Sequence, residues 1–446
     1  MKLLSVAIPC YNSENYMRHA VETLVVGGQD MEIIIVDDGS TDSSIEIVKE
    51  YCEKDSRFNL FCKEHCEGTG AGPARNLGFS NASGKYVLFL DSDDYFELNM
   101  LEELYCTAER ECVQVVISNA FIFDNNTKNE IEYKVSGPLD YSLVPEKSVF
   151  SGKDISDKLF QLVWGAAWNI FLLREFVIEK GLRFQATRFE DDVLFTYTAL
   201  AEAEFITVLN EKFVHYRINT STCQTATKYD HMEIMYSAPK KVKEELEKRG
   251  LFEDYKISYW NRFLNPMIKF LYAQKDAQRF AECYELLRGE LKQELALNDF
   301  LNLEMGKIYR KDVFYSYKKI VENTLVEFLF YEKNNNGALI DGYWFPNEIR
   351  GKKIILYGAG NAGKKFYGTI WRDNICTLIG WVDINYQQIG YPVQAPEIIK
   401  QKKFDYVLIA IVDERIRKEV KCLLEKAEVE KDKILEILDR RAVTKV

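Results

Sequence analysis

The sequence predicts an α/β protein in three parts. A mostly parallel sheet sandwiched by helices comes first, then a helical middle region, then a small α/β unit. Three observations carry this. Apolar runs at residues 3–9, 32–36 and 86–90 alternate with amphipathic stretches, as strands covered on both faces do. From about 230 to 335 glycine is rare and apolar residues recur at helical spacing. Further apolar runs at 353–357, 378–382 and 405–411 then resume the strand pattern. The expected divisions are 1–230, 231–337 and 338–446, with Asn334-Asn335-Asn336-Gly337 read as the last boundary.

Bulk properties bound the function. A chain of 446 residues suits two or three domains. Its 58 basic against 69 acidic residues give a net charge of −11, which argues against nucleic acid as the main partner. No apolar run approaches the roughly 20 residues that span a bilayer. The opening strand is followed by Pro9, Tyr11 and Asn12 rather than a small-residue cleavage site, so it reads as a buried strand and not a leader. Ten scattered cysteines fit a reducing cytoplasm. The expected location is therefore cytoplasmic, with peripheral association on the inner face of the membrane left open. Cys62, His65 and Cys66 lie close together, but no second pair completes a metal knuckle, and they read as incidental.

Taking the elements in order, residues 3–9 form the first strand and Ser13 N-caps a helix to about residue 25. The second strand, 32–36, ends in Asp37-Asp38-Gly39-Ser40-Thr41-Asp42. The third ends at Asp91-Ser92-Asp93-Asp94. Parallel sheets bind ligands at the carboxyl ends of their strands, where the clusters 9–14, 37–42 and 91–94 all fall. Three carboxylates in four residues repel one another unless a cation joins them. Oxygen-only ligands suit Mg²⁺ or Mn²⁺; the competing reading is a solvated acidic turn. Between the second and third clusters, Gly68-Thr69-Gly70-Ala71-Gly72 permits a tight backbone path into a short helix carrying Arg75, which suits a phosphate or a base edge.

Read together, Pro9-x-Tyr11-Asn12-x-Glu14, Val36-Asp37-Asp38-Gly39-Ser40-x-Asp42, Ala74-Arg75-Asn76-x-Gly78 and Leu90-Asp91-Ser92-Asp93-Asp94 resemble the family-2 glycosyltransferases of the GT-A fold. The ordered set spans about the first hundred residues. The resemblance implies that Asp38 faces the uracil of a UDP-sugar. Pro9, Tyr11, Asn12, Glu14, Gly39 and Ser40 line the nucleoside site, and Arg75 helps place it. Asp93 is the implied metal ligand, with Asp91 near the ribose or metal and Ser92 beside the donor; Asp94 is a further candidate.

Residues 113–123 read as another strand and 124–160 as a variable acceptor-contacting region. Ala167-Trp168-Asn169 followed by Phe189-Glu190-Asp191-Asp192 resembles the family's Trp-Asn-Lys-Leu segment and Glu-Asp motif, with Ile170 in place of the lysine. The resemblance makes Asp191 the general base, with Asp192 as its competitor in register. On residue grounds alone, Glu190–Asp192 also reads as a charged helix start. Residues 213–222 resemble the family's closing Tyr-x-Tyr-Arg segment; His215 reads as structural or as a late metal ligand, and Arg217 as a diphosphate contact or loop brace. The aromatic stripe of the middle region (Tyr236, Tyr255, Tyr259, Trp260, Phe263, Phe270, Tyr272) reads as core. That region offers packing on the catalytic domain, an oligomer contact or a membrane-facing surface.

In the last unit, Gly358-Ala359-Gly360-Asn361-Ala362-Gly363 follows a strand and precedes a helix, and Asp383 stands 25 positions after Gly358. This is the dinucleotide fingerprint in context, and the unit resembles small Rossmann-like modules appended to bacterial sugar-modifying enzymes. Helix–strand packing around an empty site and nucleotide binding both remain open. The function expected is a metal-dependent inverting transfer from a UDP-sugar to a hydroxyl of a cell-surface glycan or polymer. The rivals are a nucleotidyltransferase of similar sheet, and a nucleotide-sensing or homo-oligomerising protein whose last module does the work.

Overall fold

The computed structural model describes the chain except residues 1–2, 26–27, 29, 98, 132–136, 221–230, 275, 326, 329–342, 345, 361, 365, 368–369, 371–374, 391 and 440–446. The boundary read at 334–337 and the end of the 213–222 segment lie outside the described residues. Two compact units result, Met1–Arg310 and Lys311–Val446.

The first unit runs β1 (Leu4–Cys10), α1 (Glu14–Val25), β2 (Met31–Asp37), α2 (Ser44–Lys54), β3 (Phe58–Cys62), α3 (Gly72–Ser80), β4 (Tyr86–Phe89), β5 (Tyr95–Phe96), α4 (Asn99–Glu111), β6 (Val115–Asp124), β7 (Asn129–Glu130), β8 (Ile170–Leu173), α5 (Arg174–Glu179), α6 (Val193–Glu202) and β9 (Ile206–Ile218). The sheet has the order β3-β2-β1-β4-β8-β6-β9-β5, with β7 beside β6. Strands β3, β2, β1 and β4 are parallel. Strand β8 then reverses direction, β6 and β9 resume the first direction beside each other, and β5 reverses again. The sheet is thus mostly parallel, as the apolar runs predict. Its antiparallel members are the short or late strands that a run of hydrophobicity does not orient.

Strand β1 is buried along its whole length because both faces are covered. On one face Val6, Ile8, Ile33, Ile35 and Leu88 pack with Met17, Val21 and Leu24 of α1. On the other, Ile34, Val36, Ala74 and Ala82 form a smaller cluster under α3. Register then fixes the site. Cys10 lies opposite Asp37 and Ala7 opposite Phe89, so the loops after β1, β2 and β4 leave the sheet at one end. Ile170 is buried at the start of β8, so an apolar strand residue stands where the family's lysine is usual.

Helices α7 (Ser237–Lys248) and α8 (Phe252–Ala273) pack in this same unit. The stripe of α8 is core: Tyr255, Tyr259, Trp260, Phe263 and Phe270 are all buried. Their polar ends are satisfied too. Tyr255 Oη donates to the Ala201 carbonyl at 3.0 Å, Tyr259 Oη to Pro239 at 2.9 Å, and Trp260 Nε1 to Leu295 at 2.8 Å. No helix among the described residues is long and apolar enough to cross a membrane.

In the second unit, β10 (Tyr343–Trp344) pairs antiparallel with a strand at Leu438–Asp439. The main sheet there is all parallel, in the order β12 (Thr377–Val382), β11 (Lys353–Tyr357), β13 (Tyr406–Ile409), β14 (Ile434–Glu436). Ile354, Leu356 and Leu408 face one core and Ile355, Tyr357, Val407 and Ile409 the other. Trp260→Ala should destabilise the first unit by about 3–5 kcal/mol, since a large cavity and an unpaired carbonyl result; urea unfolding of the purified chain would measure it.

Candidate functional site: three carboxylate loops around a buried arginine

The loops after β1 and β2 are laced together by reciprocal hydrogen bonds. Asp37 Oδ2 accepts the Gly39 and Ser40 amides at 2.9 and 3.0 Å. The Asn12 amide donates to Ser40 Oγ at 3.0 Å, and Asn12 Oδ1 accepts the Thr41 amide at 2.8 Å. Asn12 holds φ +47°, a left-handed conformation that asparagine tolerates. Glu14 Oε2 accepts the Ser43 amide at 3.0 Å while Asp42 Oδ2 accepts the Glu14 amide at 3.0 Å. Pro9 is buried inside β1, whereas Tyr11 and Glu14 are exposed. The Glu14 carboxylate is therefore engaged in joining the two loops.

Asp38 is buried and doubly held. Lys63 forms an ion pair with it, and His65 Nδ1 lies 3.1 Å from Oδ2. The His65 ring in turn stacks on Tyr11, with centroids 4.2 Å apart and planes at 8°. The stacked rings and the buried Asp38 carboxylate thus lie together at this end of the sheet. Sequence reading missed Lys63, and met His65 only as part of a metal knuckle. The available signal was positional: Asp37 pairs with Cys62, so the residues just after β3 border the Asp38 loop. Gly39 sits at φ +74°, and a Cβ there would lie 3.0 Å from the His65 backbone nitrogen, so the loop needs glycine.

Arg75, on α3, joins the remaining loops. Its Nη2 donates to Asp91 Oδ1 and its Nη1 to Asp191 Oδ2, both at 2.5 Å. Its carbon stands 5.5 Å from the centroid of the Phe184 ring. Arg75, which the resemblance associates with the nucleoside, is thus occupied by two carboxylates, Asp91 after β4 and Asp191 before α6. Burial drives the Asp191 pKa up to about 7; Arg75 opposes that shift, and Asp192 and Asp91 add to it. Asp192 is half-buried and is raised too, chiefly by burial, with Arg75 pulling down. Only Asp191 of this pair has a carboxylate hydrogen-bonded to Arg75.

The Ser92 hydroxyl lies 2.7 Å from that of Ser13, tying the β4 loop to the first loop. Asp93 is half-buried, and its Oδ2 accepts from Thr220 at 3.2 Å. Asp94 serves the fold instead: fully buried, it accepts the Arg217 amide on Oδ1 at 2.7 Å. Its Oδ2 has no hydrogen-bond partner among the described residues, and burial with the charges of Asp93 and Asp91 pushes its pKa well up. The orphaned buried oxygen of Asp94 beside the oxygen-only donor set of Asp91 and Asp93 fits a divalent cation. Asp91 and Asp93 are the half-buried members, and two protein ligands suit an ion that keeps water and substrate oxygens. Among the described residues no three His, Cys, Asp or Glu side chains converge as a complete cage.

Arg217 is fixed in place, its Nε donating to the Asp93 carbonyl at 2.7 Å. Its guanidinium lies 5.2 Å from the rings of Tyr16 and Tyr95 and 5.5 Å from Phe123. It braces the carboxylate loop. His215 is sandwiched between Tyr95 (4.1 Å) and Phe121 (4.3 Å), with Nε2 2.7 Å from Glu97 Oε1. Trp168 belongs to the core beside Tyr216.

In the second unit, Gly358 has φ +106°, and a Cβ on Gly363 would lie 1.9 Å from the Gly358 carbonyl oxygen, so these glycines serve close packing. Gly360 has open space around it. Asp383 Oδ2 accepts the Ala359 amide at 2.7 Å and Oδ1 the Asn385 amide at 2.8 Å. Both of its oxygens are therefore spent on backbone.

The sheet order, with carboxylate loops gathered at one end of the parallel strands, matches the GT-A fold. Residues 5–182 match the family model described as Glycosyl transferase family 2, and residues 350–435 match one described as C2185-like, N-terminal. Glycosyltransferase GlyA of Streptococcus pneumoniae is 31% identical over 218 residues, covering 48% of this chain and 30% of that protein. Putative glycosyltransferase EpsH of Bacillus subtilis is 31% identical over 227 residues, covering 49% and 62%. The poly(ribitol-phosphate) beta-glucosyltransferase of Bacillus spizizenii is 28% identical over 270 residues, covering 60% and 40%. The chain thus spans less than two thirds of the length of each of these relatives. The crystal structure of S. aureus TarS shares the fold at TM-score 0.50 and 19% identity, covering 76% of this chain and 57% of that one. The first unit is thus similar to glycosyl transferase family 2 over residues 5–182.

The site's tightest steric constraint is Gly72, where a Cβ would fall 1.8 Å from the Gln185 carbonyl oxygen and 3.3 Å from Asp191 Oδ2. Gly72→Ala should cost about 1–3 kcal/mol of stability and reduce activity together with it; thermal melting and a transfer assay on the same preparation would test this.

Proposed function

We propose that the first unit transfers a sugar from a UDP-sugar to a hydroxyl of a cell-surface polymer, with inversion and with Asp191 as general base. The observation that carries this reading is Arg75, whose single guanidinium contacts both the carboxylate of the implied donor loop, Asp91, and Asp191. Donor and acceptor chemistry must meet within a few ångströms, and one rigid fork supplies that registration. The polymer acceptor is supported by the likeness to the B. spizizenii enzyme named for poly(ribitol phosphate). The uracil assignment rests on Asp38, a buried carboxylate beneath the Tyr11–His65 stack, suited to accept an N–H from a planar base.

In this mechanism Tyr11 and His65 border the base and Asp38 reads its edge. A divalent ion held by Asp91 and Asp93, when bound, supplies positive charge against the leaving diphosphate. Asp191 takes the proton of the acceptor hydroxyl as the new bond forms. Arg75 keeps the Asp191 carboxylate oriented and favours its charged form against the cost of burial. Arg217 holds the Asp93 backbone fixed meanwhile.

Calorimetry with UDP, in Mn²⁺ or Mg²⁺ and again with chelator, tests the donor half. Binding should weaken at least tenfold without metal or in Asp93→Asn, and Asp38→Ala should weaken it with metal present. Absence of UDP binding under every condition would move the assignment to another nucleotide.

The catalytic half is tested by Asp191→Asn, which should keep UDP binding and lose about 10²–10⁴ in transfer rate. Wild-type kcat/KM should climb as pH rises through about 7, where Asp191 loses its proton. Stability has the opposite sign. A folded-state pKa above the ordinary carboxylate value contributes stability at low pH that is lost as pH rises through about 7. Retained transfer in Asp191→Asn would shift the role to Asp192.

A further inference from the structure

Beside the glycine loop lies a cavity of about 290 Å³, near the roughly 300 Å³ lower bound of small-molecule pockets. Its walls include Thr187, Arg188, Phe189 and Glu190 from the segment before Asp191, and Glu233 and Ser237 from the entry to α7. We propose that this cavity is a subsite for one neutral, hydroxyl-rich unit of the acceptor, a sugar or polyol residue; the proposal rests on the glycosyl-transfer reading of the adjoining site.

Three observations support it. The Thr187 hydroxyl is buried and has no hydrogen-bond partner among the described residues. Unmet buried polar groups cost about 1–3 kcal/mol each, which a ligand's hydroxyls would offset. Glu190 holds φ +53°, a strained conformation for glutamate, directly before Asp191. Phe189 supplies a ring braced by Arg188 at 5.2 Å and by His231 at 5.2 Å.

The composition selects the ligand class. Among the described lining residues two carboxylates outnumber one cation, which disfavours an anion inside. An apolar ring, carboxylate acceptors and the Thr187 and Ser237 hydroxyls match a flat apolar face edged with hydroxyl groups. The Gly70 and Gly72 contacts with Thr187 and Gln185 hold this wall against the glycine loop. A unit seated here adjoins the residue next to Asp191.

Saturation-transfer NMR on the full chain, with ribitol and methyl glucoside as separate probes and inorganic phosphate as a competitor, tests the subsite without needing turnover. Ribitol or methyl glucoside should receive saturation from the wild type. That signal should fall at least fivefold in both Thr187→Val and Phe189→Leu, with circular dichroism unchanged. No saturation of either neutral probe, equal saturation in the folded variants, or loss of the neutral-probe signal on adding an equal concentration of phosphate would overturn the proposal. If no nucleotide sugar supports transfer while the neutral probes still bind in a Thr187-dependent way, the transfer reading fails and the subsite stands.

Discussion

The Arg75 guanidinium is the interaction on which the site depends. It is 5% exposed, and it lies between two carboxylates that belong to different loops. A lone buried cation is costly, and so are two buried carboxylates; each makes the others tolerable. The surrounding structure is what holds the three in register. Helix α3 starts at Gly72-Pro73, its Asn76 exchanges hydrogen bonds with the Phe184 backbone, and the Phe184 ring underlies the guanidinium. Asp91 is delivered by the end of β4 and Asp191 by the approach to α6. An electrostatic bond thus joins the two stretches that the proposed chemistry needs side by side.

Much of this was legible from residues alone. The apolar runs of β1, β2 and β4 fixed a parallel sheet, and a parallel sheet fixes which ends carry loops. The carboxylate clusters followed from that geometry with no further assumption. Less accessible were contacts made by chain segments with no pattern of their own. Lys63 and His65 sit just past a short strand, and nothing in their spacing links them to Asp38; the link comes from the pairing of β2 with β3. The antiparallel turn at β8 was equally hidden, because four apolar residues carry no direction.

The three aspartates after β4 illustrate a finer limit. Composition marks them as a group, but their burial divides them. Asp94 disappears into the interior to hold the Arg217 amide, while Asp91 and Asp93 stay half-exposed. Asp383 in the second unit behaves similarly, since a position that the fingerprint reserves for a ribose closes its own glycine loop instead. A carboxylate motif states which side chains are present; the backbone amides nearby decide which remain available.

The contact between the glycine loop and the 184–191 segment has a mechanical consequence. At Gly70 and Gly72 the two backbones touch with no space for a side chain, and Asn76 bolts them together a turn later. Helix α3 and the approach to α6 are therefore in direct backbone contact, with no side-chain layer between them. A side chain at either glycine would push the two segments apart, so the spacing of the Arg75–Asp191 pair is set by this backbone contact.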